Sequence, residues 1–195
     1  MGALAVSTAL DGAGLVLLIA PAQRQSVELF RKVRDMYVAQ PDAPKIVTES
    51  ALRMELENGS RIIALPGTES TIRGYSAPKL IIVDEASRVE DGLFTGIRPM
   101  LATNQGRMIC LTTPYGKRGF FYEAWAHGEG WKHTIITADQ CPRIEPEWLE
   151  NERKMIGEWQ YRQEFLCEFV DTDESFFSSD LIEAAMQDTG GALWN

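Results

Sequence analysis

The stretch Leu80-Ile81-Ile82-Val83-Asp84-Glu85 runs four apolar residues straight into two carboxylates. A short apolar run of this kind reads as a buried strand, and a strand held rigid by burial can aim two acids in fixed directions. Nucleotide hydrolysis makes that demand. Mg²⁺ is a hard cation that takes carboxylate and water oxygens, and the attacking water needs an oriented proton acceptor. On this reading Asp84 holds Mg²⁺ through water and Glu85 is the general base. The same pattern also suits a strand whose terminal acids cap the next helix through its dipole.

Three further groups have types and positions that suit the same chemistry. Thr112 and Thr113 end a second apolar run, "LTTP", and their hydroxyls could sense a γ-phosphate; the bland alternative is a β-favouring pair before a proline stop. Arg73 stands in the loop "TIRGYSAP" ahead of the acids. It could stabilise a transferring phosphate in its own site or a neighbour's, or be a surface arginine. Gln23, Arg24 and Gln25 open a helix directly after an apolar run. Helix starts often hold phosphates or nucleic-acid backbones, although ordinary solvation of the helix is the alternative.

These side chains need elements to carry them. "LVLLIAP" (15–21), "KIVTES", "KLIIVDE", "RMICLTTP" (107–114) and "KHTIIT" (132–137) read as strands. "LRMELENGSRIIALP" reads as a hairpin, with Leu52, Met54 and Leu56 alternating and Asn58-Gly59 as the turn. Val27, Phe30, Val33, Met36 and Tyr37 fall at helical spacing after the first strand. Further helices are expected at 91–101 with Pro99 near the end, at "PEWLENERKMI" opened by Pro146, at "EWQYRQEFLCEF", and at "LIEAAM" behind Asp180 and Glu183. Apolar strands alternating with helices give an α/β domain with a mostly parallel sheet, and such sheets bind ligands at the carboxyl ends of their strands.

Composition sets the outer bounds. The chain has 195 residues, 45% hydrophobic and 24% charged, with a net charge of −9. That suits one globular core. The acidic balance argues against a constitutive grip on nucleic acid but leaves room for a local basic patch. Cys110, Cys141 and Cys167 show neither CxxC nor a zinc spacing and read as reduced thiols of a cytosolic protein. His127 and His133 sit near tryptophans in a turn-rich stretch and read as structural or exposed. The opening "MGALAVSTAL" lacks a basic n-region, is too short to span a membrane, and looks like the middle of a helix.

In combination, "LVLLIAPAQRQSVELFRKV", "TIRGYSAPKLIIVDEASRV", "GRMICLTTPYGKRGFFYEAW" and "YRQEFLCEFVD" resemble, in order and spacing, the ATPase domain of phage terminase large subunits. The resemblance runs from about residue 4 to 185. It implies a P-loop NTPase-like (ASCE) fold and a motor that couples ATP hydrolysis to packaging of double-stranded DNA into proheads. It implies ATP and Mg²⁺ as cofactors, Asp84 as the Walker B metal ligand, Glu85 as the catalytic glutamate, Thr112 and Thr113 as the coupling motif, and Arg73 as a finger acting in cis or in trans. The implied partners are double-stranded DNA, a portal protein, a small terminase subunit and further copies in a homo-oligomeric ring, in the cytoplasm of a bacterial host and without a membrane.

The pattern departs from the family in two places. GxxxxGK[ST] occurs nowhere, and the one Gly-Lys pair, Gly116-Lys117, is followed by Arg118 after the acid-bearing strand. In the family the phosphate loop precedes the helix that "ALAVSTAL" resembles, so the expectation is an ATPase core truncated at both ends. It would lack the strand and loop that carry Walker A and the nuclease domain beyond "LIEAAMQDTGGALWN". Residues 1–172 would form the partial ATPase domain and 173–195 the start of a linker. A chain with only the Walker B half of the site should be inactive by itself and prone to aggregate through unpaired strand edges. The alternatives are a non-catalytic DNA- or motor-binding fragment of a decayed prophage and a helicase-like ATPase fragment.

Overall fold

The computed structural model describes residues 1–68, 72 and 74–170. Arg73, the helix expected behind Asp180 and the linker expected at 173–195 lie outside the described residues. In chain order the elements are α1 (Gly2–Leu10), β1 (Leu15–Ala20), α2 (Gln23–Val38), β2 (Ile46–Glu49), β3 (Arg53–Leu56), β4 (Arg61–Pro66), β5 (Leu80–Asp84), α3 (Asp91–Ala102), β6 (Arg107–Leu111), α4 (Gly119–Ala126), α5 (Pro146–Ile156) and α6 (Glu158–Leu166).

All six residues of β1 are buried. That requires a paired neighbour on each side and cover on each face. β1 pairs in parallel with β4 and with β5, and β5 pairs in parallel with β6. β3 and β2 extend the other side antiparallel, giving the order β2-β3-β4-β1-β5-β6. The strands are apolar on both faces because helices cover both. Val16 and Leu18 face Ala5, Val6 and Ala9 of α1 and Phe30, Val33 and Tyr37 of α2. Leu15, Leu17 and Ile19 face Leu93 and Ile97 of α3, Phe120 of α4 and Ile72 of the β4–β5 crossover.

Asn58-Gly59 closes the hairpin as expected. Gly59 takes φ +82 and its amide donates to the Leu56 carbonyl, while Asn58 Oδ1 accepts from the Ser60 amide. The same turn caps α1, because Ser60 Oγ and Asn58 Nδ2 both donate to the Ala9 carbonyl, at 2.8 and 2.9 Å. On α2 the apolar stripe is shifted from its expected course. Met36 is 46% exposed, and Ser26 is fully buried in the inward row with Phe30 and Val33. A serine fits there because its hydroxyl donates to the Leu65 carbonyl at 2.8 Å, which removes the desolvation penalty.

Two elements differ from the sequence reading. Residues 132–137 form no strand among the described residues, and Ile135 and Ile136 are 51% and 70% exposed. Residues 119–126 form a helix, α4, that the periodicity did not announce. Its start is fixed by Gly119 at φ +78 and by Asp91 Oδ1, which accepts from the Phe120 amide at 2.7 Å. The ring of Phe120 stacks on Phe94 at 4.7 Å.

The chain folds as two compact units, one of residues 1–112 with 119–129, the other of 113–118 with the described residues from 130 on. The second unit contains α5 and α6. They are separated by Gly157 at φ +83, and Arg153 bridges the break to Glu158 in two hydrogen bonds of 2.5 and 2.6 Å. Tyr161 stacks on Phe165 at 5.1 Å and Trp148 leans on Phe165 at 5.8 Å. α6 stops at Leu166, short of the expected end, because Cys167 turns left-handed at φ +55.

β6 is a parallel strand at the sheet margin, with Met108, Ile109, Cys110 and Leu111 only half-buried and no partner beyond it among the described residues. An apolar strand edge of this kind templates pairing with other chains. We expect concentration-dependent self-association in size-exclusion chromatography with light scattering; a monomer at high concentration with a cooperative thermal transition would contradict this. For α2, Ser26→Ala should cost about 1 kcal/mol in chemical denaturation, the net worth of one hydrogen bond lost from a buried carbonyl.

Candidate functional site

Parallel pairing puts the carboxyl ends of β4, β1, β5 and β6 on one edge. Ile19 is level with Val83, Val83 with Cys110, and Asp84 with Leu111. Glu85 and Thr112 therefore leave the sheet side by side. Glu85 then takes a left-handed backbone, φ +52 and ψ +42, and a 3-10 turn follows over Ala86–Arg88. For an L-residue that conformation costs about 1–2 kcal/mol. The turn is held in three ways. Ala86 is completely buried in the core beneath α3 and α4. The Arg88 amide donates to the Glu85 carbonyl at 2.9 Å. Ser87 Oγ lies 2.7 Å from Thr112 Oγ1, so one hydroxyl donates to the other across the two strand ends.

Asp84 and Glu85 are both half-buried. Arg88 Nε lies 3.8 Å from Glu85 Oε2, with both side chains 41% exposed. An ion pair so open to water is worth at most about 1 kcal/mol, so it restrains the Glu85 carboxylate only weakly. Thr113 belongs to the second unit, where its hydroxyl donates to Glu164 Oε2 of α6 at 3.1 Å. Gln23 and Arg24 are exposed on the first turn of α2, just beyond the end of β1. The capping there is done by Gln25, whose Oε1 accepts from the Ala22 amide at 3.1 Å. The structure thus brings Asp84, Glu85 and Thr112 together, puts Gln23 and Arg24 on the same sheet edge, and turns Thr113 to another partner.

The sequence reading passed over Ser87 and Glu164. Ser87 stands three residues after Asp84 in "DEAS", and nothing in its spacing marks it as the partner of a hydroxyl 25 positions away. Glu164 lies in "YRQEF", a motif noticed without a role. Among the described residues no three His, Cys, Asp or Glu side chains gather as a metal cluster.

These features define an α/β domain with a mostly parallel sheet, carrying two acids and a threonine at the carboxyl edge of its parallel strands. The particular likeness is to phage terminase large subunits. The chain is 26% identical over 198 aligned residues to the terminase large subunit of Thermus phage G20c, covering 83% of this chain and 41% of that protein. Its fold matches the large terminase ATPase domain of Thermus phage P74-26 with a TM-score of 0.68 at 20% identity, over 87% of this chain and 82% of that one. It also matches the large terminase of a second thermophilic bacteriophage with a TM-score of 0.70 at 14% identity, over 87% and 45%. Further structures of that second phage's large terminase are complexes with ADP and with ATP-γ-S. No family model matches the chain. The resemblance read from the motifs therefore holds in sequence and in fold over most of the chain, which spans about two fifths of the length of the curated relative.

The cysteines differ in environment. Burial pushes the Cys110 thiol up to about 12. Cys141 is lowered, first by a backbone hydrogen bond from Arg143. Thiolate is the reacting species, so iodoacetamide at pH 7.5 should label Cys141 first and Cys110 last, read by peptide mass spectrometry. Cys110 also makes stability fall with alkali. Its thiol stays protonated in the folded chain while the unfolded thiol ionises from pH 9, so stability relative to Cys110→Ala should decline as pH rises from 9 towards 12.

Proposed function

We propose that the chain is the ATPase core of a packaging motor that couples ATP hydrolysis to movement of double-stranded DNA into viral proheads. The observation that carries this reading is the juxtaposition of Asp84, Glu85 and Thr112 on one strand edge, in a fold similar to large terminase ATPase domains.

Asp84 ends the rigid strand and would hold Mg²⁺. One carboxylate suffices, since Mg²⁺ keeps several waters and takes its remaining ligands from the phosphates. Ser87 and Thr112, hydrogen-bonded to each other past the ends of β5 and β6, put neutral hydroxyls on the same edge. When bound, the ion supplies charge neutralisation at the phosphates. Glu85, one residue further on, points from a different backbone conformation and accepts the proton of the attacking water. Thr112 and Thr113 register the presence of the terminal phosphate. Gln23 and Arg24 offer donors at the helix start to phosphate or nucleic-acid backbone, and Arg73 stabilises transferred charge in its own site or a neighbour's.

The expected assembly is a homo-oligomeric ring with double-stranded DNA, a portal protein and a small terminase subunit, in the host cytoplasm. No helix of the described residues is long and apolar enough to cross a membrane. The 195 residues contain no GxxxxGK[ST] pattern, so they lack the backbone cradle and the lysine that such sites use for phosphates. We expect this chain by itself to turn over ATP slowly or not at all. Purified chain, Glu85→Gln and Asp84→Asn should be compared by phosphate release and nucleotide binding. Brisk turnover abolished by Glu85→Gln would overturn the expected inactivity and support the role of Glu85; brisk turnover unchanged by it would overturn that role. Salt-dependent DNA binding without nucleotide affinity would favour a non-catalytic fragment instead.

A further inference from the structure

Adjacent residues of the "LTTP" segment have partners in different units. Thr112 exchanges a hydrogen bond with Ser87 inside the sheet unit, at 2.7 Å. Thr113 donates to Glu164 of α6 inside the second unit, at 3.1 Å. The boundary between the units falls at this peptide. Glu164 is itself held in place. Gln163, only 3% exposed, donates from Nε2 to Glu164 Oε1 at 3.1 Å. Both carboxylate oxygens therefore accept from neutral donors, one from α6 and one from the strand end. On the other side, the Ala86 side chain anchors the 86–88 turn by burial. A methyl group fixes no rotation, and the exposed Arg88–Glu85 pair fixes little. The Ser87 hydroxyl adds to the Arg88–Glu85 backbone hydrogen bond a directional contact that ties the turn bearing Glu85 to the end of β6.

We propose that Thr112 and Thr113 form a divided relay: Ser87 is the positioning residue that ties Thr112 to the Glu85 turn, and Glu164, steadied by Gln163, is the positioning residue that ties Thr113 to α6. Displacement of the 112–113 segment would then break two separate hydrogen bonds, one in each unit. This gives the "YRQEF" motif a role. It rests on the reading of Thr112 and Thr113 as the coupling element.

The test is amide hydrogen exchange of the full chain, read by mass spectrometry. Loss of one such bond should speed local opening about fivefold. Ser87→Ala should accelerate exchange across 84–89 and leave 158–166 unchanged, and Ser87→Thr should restore it. Glu164→Ala should accelerate exchange across 113–118 and 158–166 and leave 84–89 unchanged, and Glu164→Gln, whose one acceptor oxygen can take the Thr113 hydroxyl, should restore 113–118. Thr112→Val and Thr113→Val remove the same bonds from the other side. Each should reproduce the corresponding pattern, and adding the partner variant should add nothing. The relay is overturned if Ser87→Ala and Glu164→Ala loosen the same segments equally, if neither moves its own segment, or if the conservative variants behave like the alanines. The parent reading fails separately, by brisk turnover insensitive to Glu85→Gln, which leaves the exchange patterns untouched.

Discussion

The rest of the structure depends on the parallel pairing of β4, β1, β5 and β6 around a completely buried β1. Parallel strands all point one way, so their carboxyl ends share an edge. Burial of Val16 to Ile19 and of Leu80 to Val83 locks the register, because a slip by one residue would exchange the side chains on the two faces. Each Val, Leu or Ile so buried is worth about 1.5–3 kcal/mol. The left-handed turn at Glu85 costs about as much as one such side chain contributes, and several are buried around it, so the sheet can impose it. Strain at Glu85 is tolerated because the core beneath it is over-determined.

Polar contacts act in this fold by direction rather than by strength. Ser26, Ser60 and Asn58 each tie a helix or turn to a particular carbonyl, and Asp91 fixes where α4 begins. The surface ion pairs are different in kind. Glu28–Arg31 and Glu150–Lys154 are exposed pairs on single helices, and such pairs add only tenths of a kcal/mol. What distinguishes the strand-end contacts is their geometry: Ser87 with Thr112, and Thr113 with Glu164, bind neighbouring residues of one chain segment to partners far away in sequence.

The unevenness of the sheet has the same origin. β1 and β5 are paired on both sides, whereas β6 is paired on one and keeps apolar side chains half in solvent. Its inner pairing with β5 is enough to place Thr112 beside Glu85. Its outer edge retains the sequence character of an interior strand, and the exposed Ile135 and Ile136 likewise carry strand-like sequence without strand pairing.

The amino-acid sequence by itself determined the α/β class, the strands at 15–20, 80–84 and 107–111, the Asn58-Gly59 hairpin, and the presence of two acids and two threonines at strand ends. These follow from local apolar runs, turn chemistry and periodicity, which any window of the chain displays. Tertiary structure alone decided the rest. Residues 132–137 have the composition of a strand, but a strand exists only with a neighbour to share its hydrogen bonds. Ser26 replaced Met36 on the buried face of α2 because the Leu65 carbonyl was there to accept. Thr112 and Thr113, alike in sequence, parted because register put one hydroxyl against Ser87 and the fold of the second unit put the other against Glu164. Hydrogen bonds between residues 25 and 51 positions apart leave no periodic trace in a chain, since their geometry is set by which strands pair and which helices pack.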